Sequence, residues 1–536
     1  MKLRKKNMTI EAIKPLSLGT SSFPTLRQYN EIYVDKTPMI YEMARLRGKY
    51  LFTRPRRFGK SLLVSTFESL FKNGLKDFKG LAIEDRWNDK TYTVVRLDFS
   101  ESKEFSSVEE FAQKFHERIE SKFNAAGVAL PQTKESFITR LSNGLQALPG
   151  SSLVLLIDEY DAPLTACMHN RDSFNAVRSI ISELFLSIKA NEGCLRFFFM
   201  TGITKFSNTS IFSAFNNLSD LSMDSEYGTL LGLTEEEIKH DFAEYLQKAS
   251  SVLKVSEQEV LDRLRSHYDG FSFDEEAKTH VYCPWSVLNF FSRPHRGFEN
   301  YWYQSGGQPT VLMSYLTHHA LVQPSRYSET VLLRKSQLAS SLQYNEIDTD
   351  VLLAQAGYLS IKEVVAGDYL RLGYPNQEVA SSMAQLYADE MLRSQNRLQL
   401  GIPMYPVMMA NESVDTVIDH FNKVFNAIDF NRYPIVDEAS CRAFLQVLLI
   451  GAAMMPRVET HTAHGRSDLE VDAGQRHWVF EFKFAQSGQD VNGLLNEAVQ
   501  QVKDRQYGEV PHTKDLIRVA LVFEKEKRQF VAWATV

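Results

Sequence analysis

Leu51-Phe52-Thr53-Arg54-Pro55-Arg56-Arg57-Phe58-Gly59-Lys60-Ser61, followed by the helical run Leu62 to Phe71, is the stretch whose reading sets the fold class. A strand end, a tight basic loop, Gly-Lys-Ser and a helix stand in the order of a phosphate-binding loop. In such a loop backbone N–H groups and the helix N-terminus hold the phosphates. The lysine reaches the β and γ groups, and the hydroxyl binds Mg2+. Arg56, Arg57, Phe58, Gly59, Lys60, Ser61 and Leu62 are therefore the expected ATP-binding residues, with Lys60 and Ser61 in the last two roles. One position is off pattern: Arg54 stands where the loop's first glycine is expected, and Pro55, Arg56 and Arg57 make the loop stiff and basic. The plainer reading is a basic helix N-terminus without a ligand.

A second segment weighs against that plainer reading. Leu153-Val154-Leu155-Leu156-Ile157-Asp158-Glu159-Tyr160-Asp161 is an apolar strand that ends in Asp-Glu, the form of a Walker B strand. Asp158 is expected in the Mg2+ shell and Glu159 beside the attacking water, as a catalytic residue. A third apolar strand, Leu195 to Met200, ends in Thr201-Gly202-Ile203-Thr204-Lys205, where Thr201 or Thr204 could sense the γ-phosphate or simply form a turn. The strand Tyr92 to Phe99 and a helix around Phe111 to Phe123 fill the interval. Strands alternating with helices predict an α/β layered domain with ligands at the carboxyl ends of the strands.

Near the other end, Gly465-Arg466-Ser467-Asp468-Leu469-Glu470-Val471 and Val479-Phe480-Glu481-Phe482-Lys483-Phe484 read as a β-hairpin. Residues two apart on a strand share a face, so Glu481 and Lys483 sit side by side while Phe480, Phe482 and Phe484 enter a core. Asp468 can meet them from the paired strand. Two carboxylates converging with an ammonium suit a hard divalent cation at a phosphate being cut. The plainer reading is a salt bridge on an amphipathic hairpin. Acid-x-Lys alone says little, because Glu101-x-Lys103, Glu120-x-Lys122, Glu237-x-Lys239 and Glu276-x-Lys278 also occur, in polar surroundings that predict solvated faces.

The chain has 536 residues and a net charge of −6, so bulk charge gives no support to a nucleic-acid partner, and phosphate contact requires a local patch. Four dispersed cysteines form no CxxC pair, which argues against zinc and disulfides and fits a reducing cytosol. The basic N-terminus lacks an apolar run after it, and no stretch is long enough to span a bilayer, so a cytoplasmic chain is expected.

Tyr33-Val34-Asp35-Lys36-Thr37, the Arg54 to Ser61 loop, Leu156-Ile157-Asp158-Glu159-Tyr160-Asp161 and Thr201 to Ser207 resemble the bacterial AAA-ATPase-like family, whose members commonly end in a PD-(D/E)XK nuclease-superfamily domain. Phe212 to Leu218, Tyr268-Asp269-Gly270-Phe271, Ala356-Gly357-Tyr358-Leu359 and Tyr374 to Val379 extend the resemblance over nearly the whole chain. The resemblance implies ATP binding at Arg56 to Leu62, Asp158 and Thr204, and removes Arg54 as an objection. It also implies Asp468, Glu481 and Lys483 as catalytic positions, with metal held by Asp468, Glu481 and Glu438. Glu459 is a rival to Glu438, which could instead only favour its helix dipole. Gln501 and Tyr507 would support that site from behind.

The implied fold is α/β. An N-terminal P-loop NTPase sheet sandwiched by helices (14–232) is followed by a helical subdomain (233–330), a connecting module with a helix and hairpin (331–430) and a restriction-endonuclease-like α/β domain (431–536). The implied activity is a nucleotide-regulated, Mg2+-dependent nuclease, with Mn2+ as a substitute, acting on DNA in preference to RNA. Defence against foreign DNA is an analogy from architecture, and a homo-oligomer is compatible with it. The competing readings are an ATP-dependent binding or signalling switch whose nuclease fold does not cut, and a plain ATPase.

Overall fold

The computed structural model describes residues 13–205, 217–302, 330–339, 348–392, 399–462, 465–505 and 514–536. Five strands, β1 (Lys49–Thr53), β2 (Thr93–Asp98), β3 (Leu153–Asp158), β4 (Leu195–Gly202) and β5 (Ser219–Asp220), form an all-parallel sheet in the order β2-β3-β4-β1-β5. Every residue of β3 and β4 is buried. Successive side chains point to opposite faces, so both faces of these strands are covered, and that is why they read as unbroken apolar runs. The chain leaves β1 through the helix Lys60–Asn73, crosses to the far edge at β2, and steps back through β3 and β4 to lie beside β1. This order brings the carboxyl ends of β1, β3 and β4 to one edge of the sheet.

Four helices follow: Glu235–Asp241, Ala243–Leu253, Glu257–Tyr268 and Pro284–Ser292. They share a core that includes Ile238, Leu246, Leu264 and Phe290. The first starts in a capping box, with Thr234 accepting from the Glu237 N–H and Glu237 accepting from the Thr234 N–H.

The expected 331–430 module is not one body. Residues 331–378 belong to the first unit of the chain, and the described residues from 379 onward form the second. Strands β6 (Val331–Arg334), β7 (Ser360–Val364) and β8 (Tyr369–Gly373) make a small antiparallel sheet in which β7 and β8 form the expected hairpin. The helix before it, Thr349–Gln355, is capped by Asp348 and carries Asp350, and Gln355 accepts the Lys205 N–H. That bond ties the helix to the end of β4.

Its packing partner is the phosphate loop. Gly357 has a left-handed φ of 90° and lies against the Pro55 ring, where a Cβ would come within 2.6 Å. Phe58 is buried between Phe271 and Phe273, at centroid distances of 4.9 and 5.2 Å. The Trp302 indole donates to the Arg56 carbonyl at 3.1 Å. Glu378 accepts from the Trp302 N–H and the Ser286 hydroxyl, both at 2.7 Å, and burial pushes its carboxyl up to about 8.

In the second unit, β9 (Arg457–Thr462), β10 (Gly465–Ala473), β11 (Arg476–Ala485), β12 (Asp515–Glu524) and β13 (Gln529–Thr535) form a mixed sheet in the order β13-β12-β11-β10-β9. β11 and β12 are parallel and are joined through the helix Val491–Asp504. The helix Val414–Phe425 packs on this sheet, with Phe421 against Phe480 of β11 at 6.2 Å and Phe425 against Phe530 of β13 at 5.2 Å. Asn422 is bonded to both the N–H and the carbonyl of Phe530. This body therefore begins before residue 431.

Candidate active sites

The phosphate loop turns through left-handed conformations at Arg57 (φ 70°) and Gly59 (φ 91°), a backbone form that gathers successive N–H groups around an anion. Gly59 is the N-cap of the helix that starts at Lys60. A cavity of about 760 Å3 opens over it, lined by Arg56 through Leu62 and by Glu159. Lys60 is buried and its ammonium donates to the carbonyls of Arg54 and Pro55, both at 3.0 Å. Burial holds its pKa below the usual lysine range, and the carboxylates of Glu159, Asp161 and Asp158 oppose that shift.

Asp158 is 1% exposed at the end of β3, bonded to the Ser61 side chain, with an Arg96 guanidinium nitrogen 3.7 Å from Oδ2. Its Oδ1 is buried without a hydrogen-bond partner among the described residues, and burial raises its pKa. An orphaned carboxylate oxygen next to a hydroxyl fits the donor set a Mg2+ ion takes. Glu159 has a left-handed φ of 49°, and it lines the cavity with Lys60.

Two expectations change. Thr204 does not face the cavity: its N–H and hydroxyl both donate to Asp161 Oδ2, at 2.8 and 2.7 Å. Thr201 donates to the Phe52 carbonyl at 2.6 Å. Both threonines are buried and spent on holding the end of β4, so neither is free to sense a phosphate. The buried Asp161 organises that turn, its Oδ2 also accepting the Ile203 N–H at 3.1 Å. The Arg54 side chain turns away from the loop, although its carbonyl stays in it. Its guanidinium donates to the carbonyls of Thr53, Ser222 and Tyr227 and stacks over Phe52 at 4.0 Å and Phe273 at 4.3 Å. Burial lowers its pKa to about 9. Restoring the usual glycine by Arg54→Gly is therefore expected to destabilise the first unit by about 3 kcal/mol or more, because three buried carbonyls lose their donor. Chemical unfolding checks this, and an unchanged midpoint would refute it.

In the second unit the hairpin forms with Leu469 opposite Phe480 and Ala473 opposite Arg476. Beyond Leu469 the regular pairing stops, and the Asp468 carboxylate itself accepts the Phe482 N–H at 2.9 Å. A side chain thus replaces a strand carbonyl, which fixes Asp468 against β11. Glu481 is 1% exposed, and its Oε2 has no hydrogen-bond partner among the described residues. Burial, then the neighbouring Asp468, pushes its carboxyl up to about 8, while Lys483 and Arg505 pull it down. Lys483 Nζ stands 3.6 Å from Glu481 Oε1 and 3.8 Å from Glu438 Oε1. Glu438 begins the helix Glu438–Gly451 and also accepts the Phe484 N–H, so it is more than a dipole partner. The backbone of Glu459 lies in β9, flanked by the Val458–Leu469 and Thr460–Ser467 partners, but its side chain is outside the described residues, as is Tyr507.

Among the described residues no three acidic, His or Cys groups form a ready-made cation cage. One reason is visible: Asp468 and Glu438 each accept a strand N–H, and Lys483 bridges Glu438 and Glu481. The orphaned Glu481 Oε2 remains a donor suited to a hard cation.

A family model described as "Predicted AAA-ATPase" matches residues 17–212, and one for the PD-(D/E)XK nuclease superfamily matches residues 437–533. A protein of Azotobacter chroococcum mcd 1, described as "Uncharacterized protein in vnfD 5'region", is 30% identical over 510 residues, covering 92% of this chain and 93% of its own length. The chain belongs to this AAA-ATPase-like family with a nuclease-superfamily domain.

In the helical subdomain that follows the AAA-like domain, Trp285 reads from sequence as an ordinary core aromatic. It lines the nucleotide-sized cavity, and the Arg57 guanidinium lies 4.3 Å over its ring. Within the nuclease-superfamily domain the missed residue is Arg505. It stands one turn after Gln501, at the C-cap of the helix Val491–Asp504, and its charge acts on Glu481. The i, i+4 spacing from Gln501 was the available signal. The four cysteines are buried and form no disulfide. No helix among the described residues is long and apolar enough to cross a membrane.

Proposed function

We propose that the protein is a nucleotide-regulated, divalent-cation-dependent nuclease that cuts phosphodiester bonds in DNA, in preference to RNA, and that it serves against foreign DNA. The observation that carries the reading is the buried, unpartnered Glu481 Oε2 beside Asp468 and Lys483. Asp468 and Glu481, with Glu438 in support, would hold Mg2+ or Mn2+. Such an ion supplies Lewis-acid polarisation of the phosphoryl oxygen and a more acidic bound water. Asp468 is held in place by the Phe482 N–H, so its carboxylate costs little to position. Lys483 brings a positive charge to the same face and keeps Glu481 nearer its ionised form. Burial of Glu481 excludes competing water from one side of the site.

At the other site, Lys60 and the Arg56 to Leu62 backbone would hold the ATP phosphates. Ser61 and Asp158 would hold its Mg2+, and Glu159 would orient water. The carbonyls of Arg54 and Pro55 keep the Lys60 ammonium within the loop. One observation favours a second reading, a nucleotide-dependent DNA-binding switch that does not cut: among the described residues, Asp468 and Glu438 each already accept a strand N–H.

The test is fragment release from labelled duplex DNA with and without Mg2+ and ATP, in wild type and Lys60→Ala. Mg2+-dependent cutting that falls at least about tenfold in Lys60→Ala supports nucleotide regulation. Cutting unchanged by that variant leaves a nuclease independent of ATP. ATP-dependent retention of uncut DNA would establish the switch instead.

A further inference from the structure

The Tyr33-Val34-Asp35-Lys36-Thr37 motif has no part in the chemistry above, yet it forms one wall of the nucleotide cavity. Ile32, Tyr33, Val34 and Lys36 line it, facing Leu231, Leu233 and Phe242. The motif is rigidly placed. Asp35 Oδ1 accepts the Thr37 N–H and hydroxyl, at 2.9 and 2.6 Å, and Asp35 Oδ2 accepts the Ala82 N–H at 2.8 Å. Lys36 is 8% exposed, and its ammonium donates to the Thr229 carbonyl at 2.8 Å and to Glu237 Oε1 at 2.5 Å. Glu237 was expected on a solvated face. Its other oxygen instead accepts the Thr234 N–H, so Lys36 is tied to the start of the Glu235–Asp241 helix.

Two chain segments about two hundred residues apart thus build the apolar end of the cavity, and an ion pair between the buried Lys36 and the half-buried Glu237 holds them in register. The phosphate end does not depend on that pair, because Lys60, Gly59 and the loop carbonyls fix it locally. We infer that the Lys36–Glu237 pair is a positioning latch for the base-binding wall of the cavity, setting affinity for the nucleoside part of ATP without contributing to phosphate binding. The inference rests on the nucleotide reading of this cavity.

Removing Glu237 leaves the buried Lys36 charge uncompensated, and removing Lys36 unties the start of the Glu235–Asp241 helix, so in either case the wall should open. Lys36→Met keeps an unbranched apolar stem, and Glu237→Gln retains an acceptor for the Thr234 N–H should the first variant fail to fold. Equilibrium binding of Mg·ATP and of inorganic tripolyphosphate is measured for wild type, both single variants and the double variant. The expected result is a loss of ATP affinity of about tenfold or more in each single variant, no further loss in the double variant, and unchanged tripolyphosphate affinity. Equal losses for both ligands, additive losses, or no loss would overturn the latch while leaving the nucleotide reading intact. A wild type that binds neither ligand would overturn both, and so identifies failure of the underlying reading separately.

Discussion

Lys483→Ala is expected to lower the rate of DNA cutting by about 10²–10³-fold, the scale for removing one preorganised charge or donor from a reacting centre. Two separate effects add. The first is loss of positive charge where the phosphate gains negative charge in the transition state. The second acts on Glu481, whose carboxyl is already raised to about 8 and which Lys483 pulls down. Without Lys483 the carboxyl is protonated over a wider pH range, and a protonated carboxyl is a poor cation ligand. The residual activity should therefore recover with rising pH more steeply than in wild type. Single-turnover cleavage at saturating Mg2+ across pH 6 to 9 measures both effects. A variant within about threefold of wild type across that range would show that Lys483 is only a salt-bridge partner.

The second large effect is a trade of stability against activity at Glu481. Its folded-state pKa, about 8, lies above the ordinary 4.5 because burial and then Asp468 disfavour the charge. Below the ordinary value both folded and unfolded chains are protonated, and the group has no effect on the pH dependence. Between the two values the folded chain keeps the proton and the unfolded chain releases it. Stability of the metal-free protein therefore falls as pH rises through that window, by at most about 1.4 kcal/mol per pH unit for one group. Glu481→Gln removes the titration. It should abolish cation-dependent cutting and yet make the metal-free β10–β11 hairpin more stable than wild type at pH 9, by up to a few kcal/mol. Hydrogen exchange of the β11 amides, in chelator and then with Mg2+, is the measurement. Mg2+ should restore protection in wild type and leave the variant unchanged. Equal pH slopes in the two proteins would contradict the argument.

Glu481 also shows how far the sequence could be read. The alternation Phe480-Glu481-Phe482-Lys483-Phe484 assigned faces correctly because a strand has a period of two, and the apolar runs of β3 and β4 marked buried parallel strands for the same geometric reason. The Gly-Lys-Ser and Asp-Glu segments could be placed because their spacing to a strand end is local. That same strand-end position leaves Thr201 and Thr204 open between sensing a phosphate and forming a turn, because the orientation of Thr204 depends on Asp161, which takes its hydroxyl only once β3 and β4 pair.

Short-range geometry is legible along the chain: strand periods, the loop before the Lys60 helix, and the residue types that can bind phosphate or a hard cation. Tertiary structure decided where long side chains and distant segments go. Arg54 turns into the core because the Thr53, Ser222 and Tyr227 carbonyls need a donor there. Glu237 turns towards Lys36 at the cavity wall and is only partly exposed. Arg505 comes under the influence of Glu481, and Asp468 binds the β11 backbone, only because the sheet closes around them. Apart from Thr53, which neighbours Arg54, these partners are brought together only by the fold, and the desolvation that makes each pairing necessary arises only on folding.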